Sequence, residues 1–139
     1  MNTGGIIEDV KSSNTKVKDN LSLVYYSRTG KTERFIEKVT EVFDIPTSSI
    51  NEYQSGKYIL ITPTYNFGEV PVEINEFLSN HNENMVAVMS AGNRNWGQNF
   101  AKSGETLSKK YNVDLIGKIE MMGTQSDIEK LVNYIKQLE

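Results

Sequence analysis

The sequence predicts an α/β domain built on a doubly wound, five-stranded parallel sheet with strand order 2-1-3-4-5. Three observations carry that prediction. From Leu21 onward, short β-rich apolar runs alternate with segments of helical periodicity, the pattern of a parallel sheet covered on both faces. The runs Tyr58 to Thr62 and Met85 to Met89 are almost uninterruptedly apolar, as strands buried on both sides must be. Right-handed crossovers then leave few ways to connect five strands.

Leu21 to Tyr26 reads as the first strand. Phe35, Ile36, Val39, Val42 and Phe43 follow at helical spacing, so Lys31 to Phe43 is expected to be a helix with one buried stripe. Pro46 ends that region, and a weak strand is expected near Ser48 to Asn51. Tyr58 to Thr62 is the third strand. Ile74, Phe77, Leu78 and His81 mark the next helix, with Pro71 suited to its first turn. Met85 to Met89 is the fourth strand, and Phe100, Leu107 and Tyr111 share one face of a helix expected from about Gln98 to Tyr111. Val113 to Met121 is the last strand. Ile128, Leu131, Val132, Ile135 and Leu138 define a terminal helix, for which Thr124 and Ser126 are the N-cap candidates.

Residues 1–20 are polar and rich in Ser, Asn, Thr and Lys, so they read as an extension outside the folded unit, which spans 21–139. A chain of 139 residues is one domain with room for a real hydrophobic core. The net charge of −3 argues against nucleic acid or an anionic membrane as the main partner. No apolar stretch approaches the roughly 20 residues of a membrane span, and the first residues lack a signal pattern. There is no cysteine, hence no disulfide and no thiolate chemistry. A cytoplasmic location is expected, and any redox role would need a borrowed cofactor.

In a sheet of this order, ligands bind beyond the carboxyl ends of the strands, at the switch point. The loops after strands one, three and four are therefore the candidates. The first is Ser27-Arg28-Thr29-Gly30-Lys31-Thr32, which opens a helix. A helix N-terminus presents unpaired N–H groups and about half a positive charge, so it favours an anion such as phosphate. Ser27, Thr29 and Thr32 add hydroxyls, and Gly30 permits close backbone approach. The competing reading is that Ser27 and Thr29 only cap the helix. A Walker loop would need a glycine five positions before Gly30, where Tyr25 stands.

The second loop, Thr62 to Pro71, contains Thr64, Tyr65, Asn66, Phe67 and Gly68. The third, Ser90 to Phe100, contains Ser90, Gly92, Asn93, Trp96 and Gly97. Aromatics Tyr65, Phe67 and Trp96 in polar rim loops have two explanations, core packing or a flat ring ligand. Phosphate plus a planar redox-active ring points to flavin mononucleotide, FMN. The dinucleotide G-x-G-x-x-G turn is missing after strand one. A phosphoacceptor receiver would need carboxylates where Tyr26-Ser27 and Thr62-Pro63 stand. His81, the lone histidine, is expected to pack rather than catalyse, and Lys109-Lys110 to form a solvated face.

Ser27 to Gly30 together with Thr64 to Pro71 resembles the flavodoxin-like superfamily. Gly92-Asn93-Arg94-Asn95-Trp96-Gly97, followed by Asn99-Phe100-Ala101-Lys102-Ser103, resembles more narrowly the NrdI family, flavodoxin-like activators of class Ib ribonucleotide reductase. Phe67 to Pro71 and Gly123-Thr124 before Asp127 match the same pattern. The resemblance spans about Leu21 to the C-terminus. The family usually reads Ala-Ser-Gly-Asn where this chain has Ser90-Ala91-Gly92-Asn93, so a hydroxyl has moved by one position.

The resemblance implies one FMN, reduced by an unidentified reductant. Dioxygen would then yield superoxide or peroxide for the dimanganese site of the reductase small subunit, supporting its tyrosyl radical. Trp96 is expected to lie against the flavin ring, and Asn66-Phe67-Gly68 to bring a backbone group to the flavin N5. Independently of the resemblance, Ser90 to Phe100 contains Arg94 and no carboxylate, and the preceding loop has only Glu69. Few negative charges near the ring should ease full two-electron reduction. The alternatives are a small flavodoxin acting as a general electron carrier, a flavin-dependent quinone or nitro reductase, and a flavin-free interaction domain.

Overall fold

The alternation of strand and helix builds the expected sheet. The computed structural model describes residues 21–65 and 68–138; the extension 1–20, Asn66, Phe67 and Glu139 lie outside the described residues. The elements are β1 (Ser22–Tyr25), α1 (Lys31–Val42), β2 (Thr47–Ser49), β3 (Tyr58–Pro63), α2 (Val72–His81), β4 (Met85–Gly92), α3 (Ser103–Tyr111), β5 (Asp114–Glu120) and α4 (Gln125–Gln137). Among the described residues the strands form one sheet in the order β2-β1-β3-β4-β5. Every pairing is parallel.

Alternation along each strand assigns the two faces. Leu23, Ile59, Ile61, Ala87, Met89 and Ile119 point to one side, where Phe35, Ile36 and Val39 of α1 meet Ile128, Leu131 and Ile135 of α4. Val24, Tyr58, Leu60 and Val88 point to the other, against Ile74, Phe77 and Leu78 of α2 and Leu107 of α3. Each such fully buried side chain contributes about 1.5–3 kcal/mol relative to exposure. The two layers hold the sheet rigid, so the loops at its carboxyl edge start from fixed points.

Three details depart from the sequence expectations. The helix expected from Gln98 is interrupted: a 3-10 segment covers Arg94–Asn99, and α3 starts only at Ser103. Ala101 between them adopts φ 50°, because its backbone is held by β4, a constraint that periodicity does not carry. Phe100 consequently leaves the helix face, and the guanidinium of Arg94 lies 5.0 Å from its ring centroid. Pro71 is the N-cap of α2, one residue before the first turn. The weak edge strand pairs over Thr47–Ser49 rather than from Ser48 to Asn51.

The terminal helix begins as its sequence suggests. Thr124 Oγ1 accepts from the Asp127 N–H at 3.1 Å, and Asp127 Oδ2 accepts from the Thr124 N–H at 3.0 Å, a reciprocal capping box. His81 packs, tilted, against Phe77 with ring centroids 4.9 Å apart, and its carbonyl accepts from the Tyr58 hydroxyl at 2.8 Å. Lys109 and Lys110 are exposed in the last turn of α3, where they complement the helix dipole.

Candidate functional site

At the carboxyl edge of β1, β3 and β4 a cleft of about 210 Å³ opens to the surface. Ser27, Arg28, Thr29, Lys31 and Thr32 form one wall. Pro63, Thr64 and Tyr65 form the second, and Ala91, Gly92, Asn93, Trp96, Asn99 and Ala101 the third. Met121, after β5, closes the rim. Ten of the residues singled out from sequence thus line one space: Ser27, Arg28, Thr29, Lys31, Thr32, Thr64, Tyr65, Gly92, Asn93 and Trp96.

The first wall is an anion nest. Gly30 turns the chain at φ 94° into the N-terminus of α1, a conformation that costs other residues strain. Ser27 Oγ accepts from the N–H of Gly30 at 3.0 Å and of Glu33 at 3.3 Å. Gly30 is the N-cap and has no side-chain cap, so the Ser27 hydroxyl supports the turn from three residues further back and keeps its hydrogen to donate. An arriving anion has the donors of that hydroxyl and of the helix's first turn within one concave surface.

The second wall is a turn from Tyr65 to Glu69, closed by Tyr65 N–H to the Glu69 carbonyl at 3.0 Å and Glu69 N–H to the Tyr65 carbonyl at 2.7 Å. Asn66 and Phe67, both expected at the site, lie outside the described residues. The Arg28 guanidinium lies 4.1 Å from the Tyr65 ring centroid, which joins the first two walls through a cation–π contact. Burial, then the neighbouring Tyr26 phenol, pushes the Tyr65 hydroxyl up to about 12. That oxygen is buried and has no hydrogen-bond partner at good geometry among the described residues.

The third wall is fixed by contacts distant in sequence. Gly92 permits the tightest approach: a Cβ there would come 2.7 Å from the Ala101 nitrogen. Ser90 Oγ donates to the Ala101 carbonyl at 2.5 Å. Thr64 Oγ1 and Ser103 Oγ share a hydrogen bond of 2.7 Å, and Ser103 Oγ also reaches the Pro63 carbonyl at 3.0 Å. Glu120 Oε1 accepts from both the backbone N–H of Arg94 and its Nε, each at 3.1 Å. Trp96 is carried on this braced segment and remains 48% exposed at the cleft.

Four residues expected at the site do not line the cleft. Ser90 is fully buried and spends its hydroxyl on Ala101, so the displaced hydroxyl is an internal tie. Gly30 shapes the first loop from behind. Gly68 is buried near Lys102 and Asn99, and Gly97, at φ 60°, kinks the third loop between Trp96 and Asn99. Pro63, Ala91, Asn99, Ala101 and Met121 were missed. Ala101 falls one residue past the third expected loop, and Met121 lies far from all three with nothing local in sequence to mark it; the sheet register brings β5 beside β4 and puts the Met121 N–H 2.8 Å from the Gly92 carbonyl.

The electrostatics also shift from the sequence expectation. Arg94 does not line the cleft and is paired with Glu120. The cations that do line it are Arg28 and Lys31, and no carboxylate is among the lining residues. The positive charge at the cleft thus comes from residues other than the Arg94 to which the sequence pointed.

The match to known sequences is extensive. Residues 23–133 fit the family model described as NrdI flavodoxin-like. The chain belongs to the NrdI flavodoxin-like family. A protein NrdI from Macrococcus caseolyticus is 42% identical over 108 residues, covering 78% of this chain and 83% of that protein. A protein NrdI from Bacillus licheniformis is 38% identical over 118 residues, covering 85% and 89%. Among solved structures, a short-chain flavodoxin associated with a non-canonical PDU bacterial microcompartment superposes with a TM-score of 0.65 at 18% identity, over 85% of this chain and 95% of that one. A Fusobacterium nucleatum flavodoxin bound to flavin mononucleotide gives 0.60 at 16% identity, over 84% and 95%. The two structural likenesses speak for the fold of this NrdI-family chain. Among its described residues, no helix is long and apolar enough to cross a membrane.

Proposed function

We propose that this chain is an FMN-binding redox protein that serves class Ib ribonucleotide reductase in the cytoplasm. One observation carries the reading: an anion-seeking helix N-terminus and an aromatic-walled cleft without carboxylates share a single concave surface. The donors suit a phosphate, the walls suit a flat ring, and the family membership supports both.

In this reading the first turn of α1 and the hydroxyls of Ser27, Thr29 and Thr32 hold the phosphate, with Lys31 beside them. Tyr65 and Trp96 flank the ring. A backbone group of Asn66-Phe67-Gly68 would serve the flavin N5. Arg28 and Lys31 offset the negative charge that the bound group acquires on reduction. Bound flavin would supply electrons to dioxygen, one giving superoxide or two giving hydrogen peroxide as the oxidant. The protein's part is to bind, orient and bias charge, while the cleft's open rim lets small oxidants leave toward the dimanganese small subunit.

The test is reconstitution. The purified chain with FMN, reduced and mixed with oxygen, should promote tyrosyl-radical formation in a dimanganese-loaded class Ib small subunit. The radical is read by electron paramagnetic resonance. Full flavin binding with no radical above a flavin-only control would reject the reductase role and leave an electron carrier.

A further inference from the structure

We propose that Met121 is an oxidation site of this protein, converted to its sulfoxide by hydrogen peroxide formed inside the cleft. The proposal rests on the reading above that reduced flavin meets dioxygen there. Four methionines lie among the described residues, and they form two pairs. Met85 and Met89 are buried in the core at 5% and 0% exposure. Met121 and Met122 are adjacent and nearly equally exposed, at 39% and 43%, yet only Met121 lines the cleft. Exposure alone does not distinguish them, and position does.

Met121 is held at that rim by its backbone. It sits at φ 57°, a left-handed conformation that side-chain-bearing residues rarely adopt. Its N–H donates to the Gly92 carbonyl at 2.8 Å, and the Gly123 N–H closes the turn on the Glu120 carbonyl at 2.8 Å. Asp127 Oδ2 braces both ends of this turn, accepting from the N–H of Glu120 at 3.3 Å and of Thr124 at 3.0 Å. A strained residue persists where its surroundings over-determine it. Here they fix a thioether on the exit path of a small oxidant.

The chemistry balances. A thioether lone pair attacks one oxygen of hydrogen peroxide, the S–O bond forms and the O–O bond breaks. The departing oxygen leaves as water after proton transfer. The sulfur loses two electrons and the peroxide gains them. The product replaces an apolar side chain with a polar, chiral one, at the rim of the cleft that Trp96 also lines.

The experiment uses the full chain saturated with FMN, reduced anaerobically with dithionite and desalted. It is then mixed with aerated buffer in the dark, because illuminated flavin oxidises methionine by itself. Catalase removes peroxide that escapes to solution, and a parallel sample without it measures the peroxide formed. A second arm treats the oxidised holoprotein with reagent hydrogen peroxide. Trypsin releases Ile119 to Lys130 as one peptide carrying both residues, and fragment masses assign the added oxygen. Met121 sulfoxide should exceed Met122 sulfoxide several-fold in the oxygen arm and match it in the reagent arm. Parity in the oxygen arm with peroxide formed overturns the proposal alone. Excess at Met121 in both arms overturns it too, since intrinsic reactivity would then suffice. Absence of peroxide and of any Met121 excess removes the proposal together with the oxygen-reducing reading on which it rests.

Discussion

The first and third walls of the cleft face one another and are built by opposite means. The Ser27–Thr32 loop is made by local rules: a left-handed glycine, a hydroxyl accepting from N–H groups three and six residues on, and the start of a helix. Gly30 has nothing near its missing Cβ. The Asn93–Lys102 segment is made by distant ones. Gly92 presses on Ala101, Ser90 ties the same residue, Glu120 clamps Arg94, and Ser103 locks onto Pro63 and Thr64. One wall offers donors and can yield to a ligand, whereas the other is a braced platform for Trp96.

That contrast breaks first at its tightest point. Gly92→Ala drives a Cβ to within 2.7 Å of backbone that has little freedom to retreat, so we expect a loss of about 1–3 kcal/mol in urea unfolding. FMN affinity should fall with it. By comparison, Gly30→Ala meets no steric barrier and carries only the strain of positive φ, about 1 kcal/mol. Equal losses in the two variants would erase the distinction between the walls.

Trp96→Ala removes the platform's aromatic without touching its braces. Loss of stacking of about 1 kcal/mol should raise the FMN Kd roughly fivefold, while unfolding stays near the parent value because Trp96 is half exposed. A flavin fluorescence titration reads this, and an unchanged Kd would remove Trp96 from the ring site. Arg28→Gln probes the yielding wall. Losing a lining cation should disfavour the fully reduced state by about 1 kcal/mol, lowering the second reduction potential by some tens of millivolts, whereas Arg94→Gln, already offset by Glu120, should move it less. Identical shifts would put the relevant charge elsewhere.

The phenols give the smallest effect. Burial raises Tyr65 from 10.0 to about 12, and burial also raises Tyr58 and Tyr134. A phenol whose folded pKa is raised stays neutral longer in the folded chain. Its contribution is therefore whole below pH 10 and declines as pH rises through the folded value. Stability should fall above about pH 10, and Tyr65→Phe should lessen the slope slightly. Urea midpoints flat to pH 11 would contradict the shifts.

The same contrast explains what could be read in advance. Apolar runs and helical spacing revealed the strands and helices because burial imposes them locally, and right-handed crossovers then limited the sheet order. The turn from Ser27 to Thr32 was legible for the same reason: its geometry lies in consecutive residues. Ala101 with its positive φ, Ser90 as an internal tie, the neutralisation of Arg94 by Glu120 and the arrival of Met121 at the rim were not. Each depends on which strand lies beside which, and on register, so no window of sequence contains the partner. The broken helix before Ser103 is the clearest instance, since Phe100, Leu107 and Tyr111 keep helical spacing across a break imposed from β4.

A crystal structure of the chain with stoichiometric FMN bears most directly on the shared concave surface. The phosphate should lie against the N–H groups and hydroxyls between Ser27 and Thr32, with the ring between Tyr65 and Trp96. A cleft without FMN, or FMN bound at another face of the sheet, would contradict the proposal.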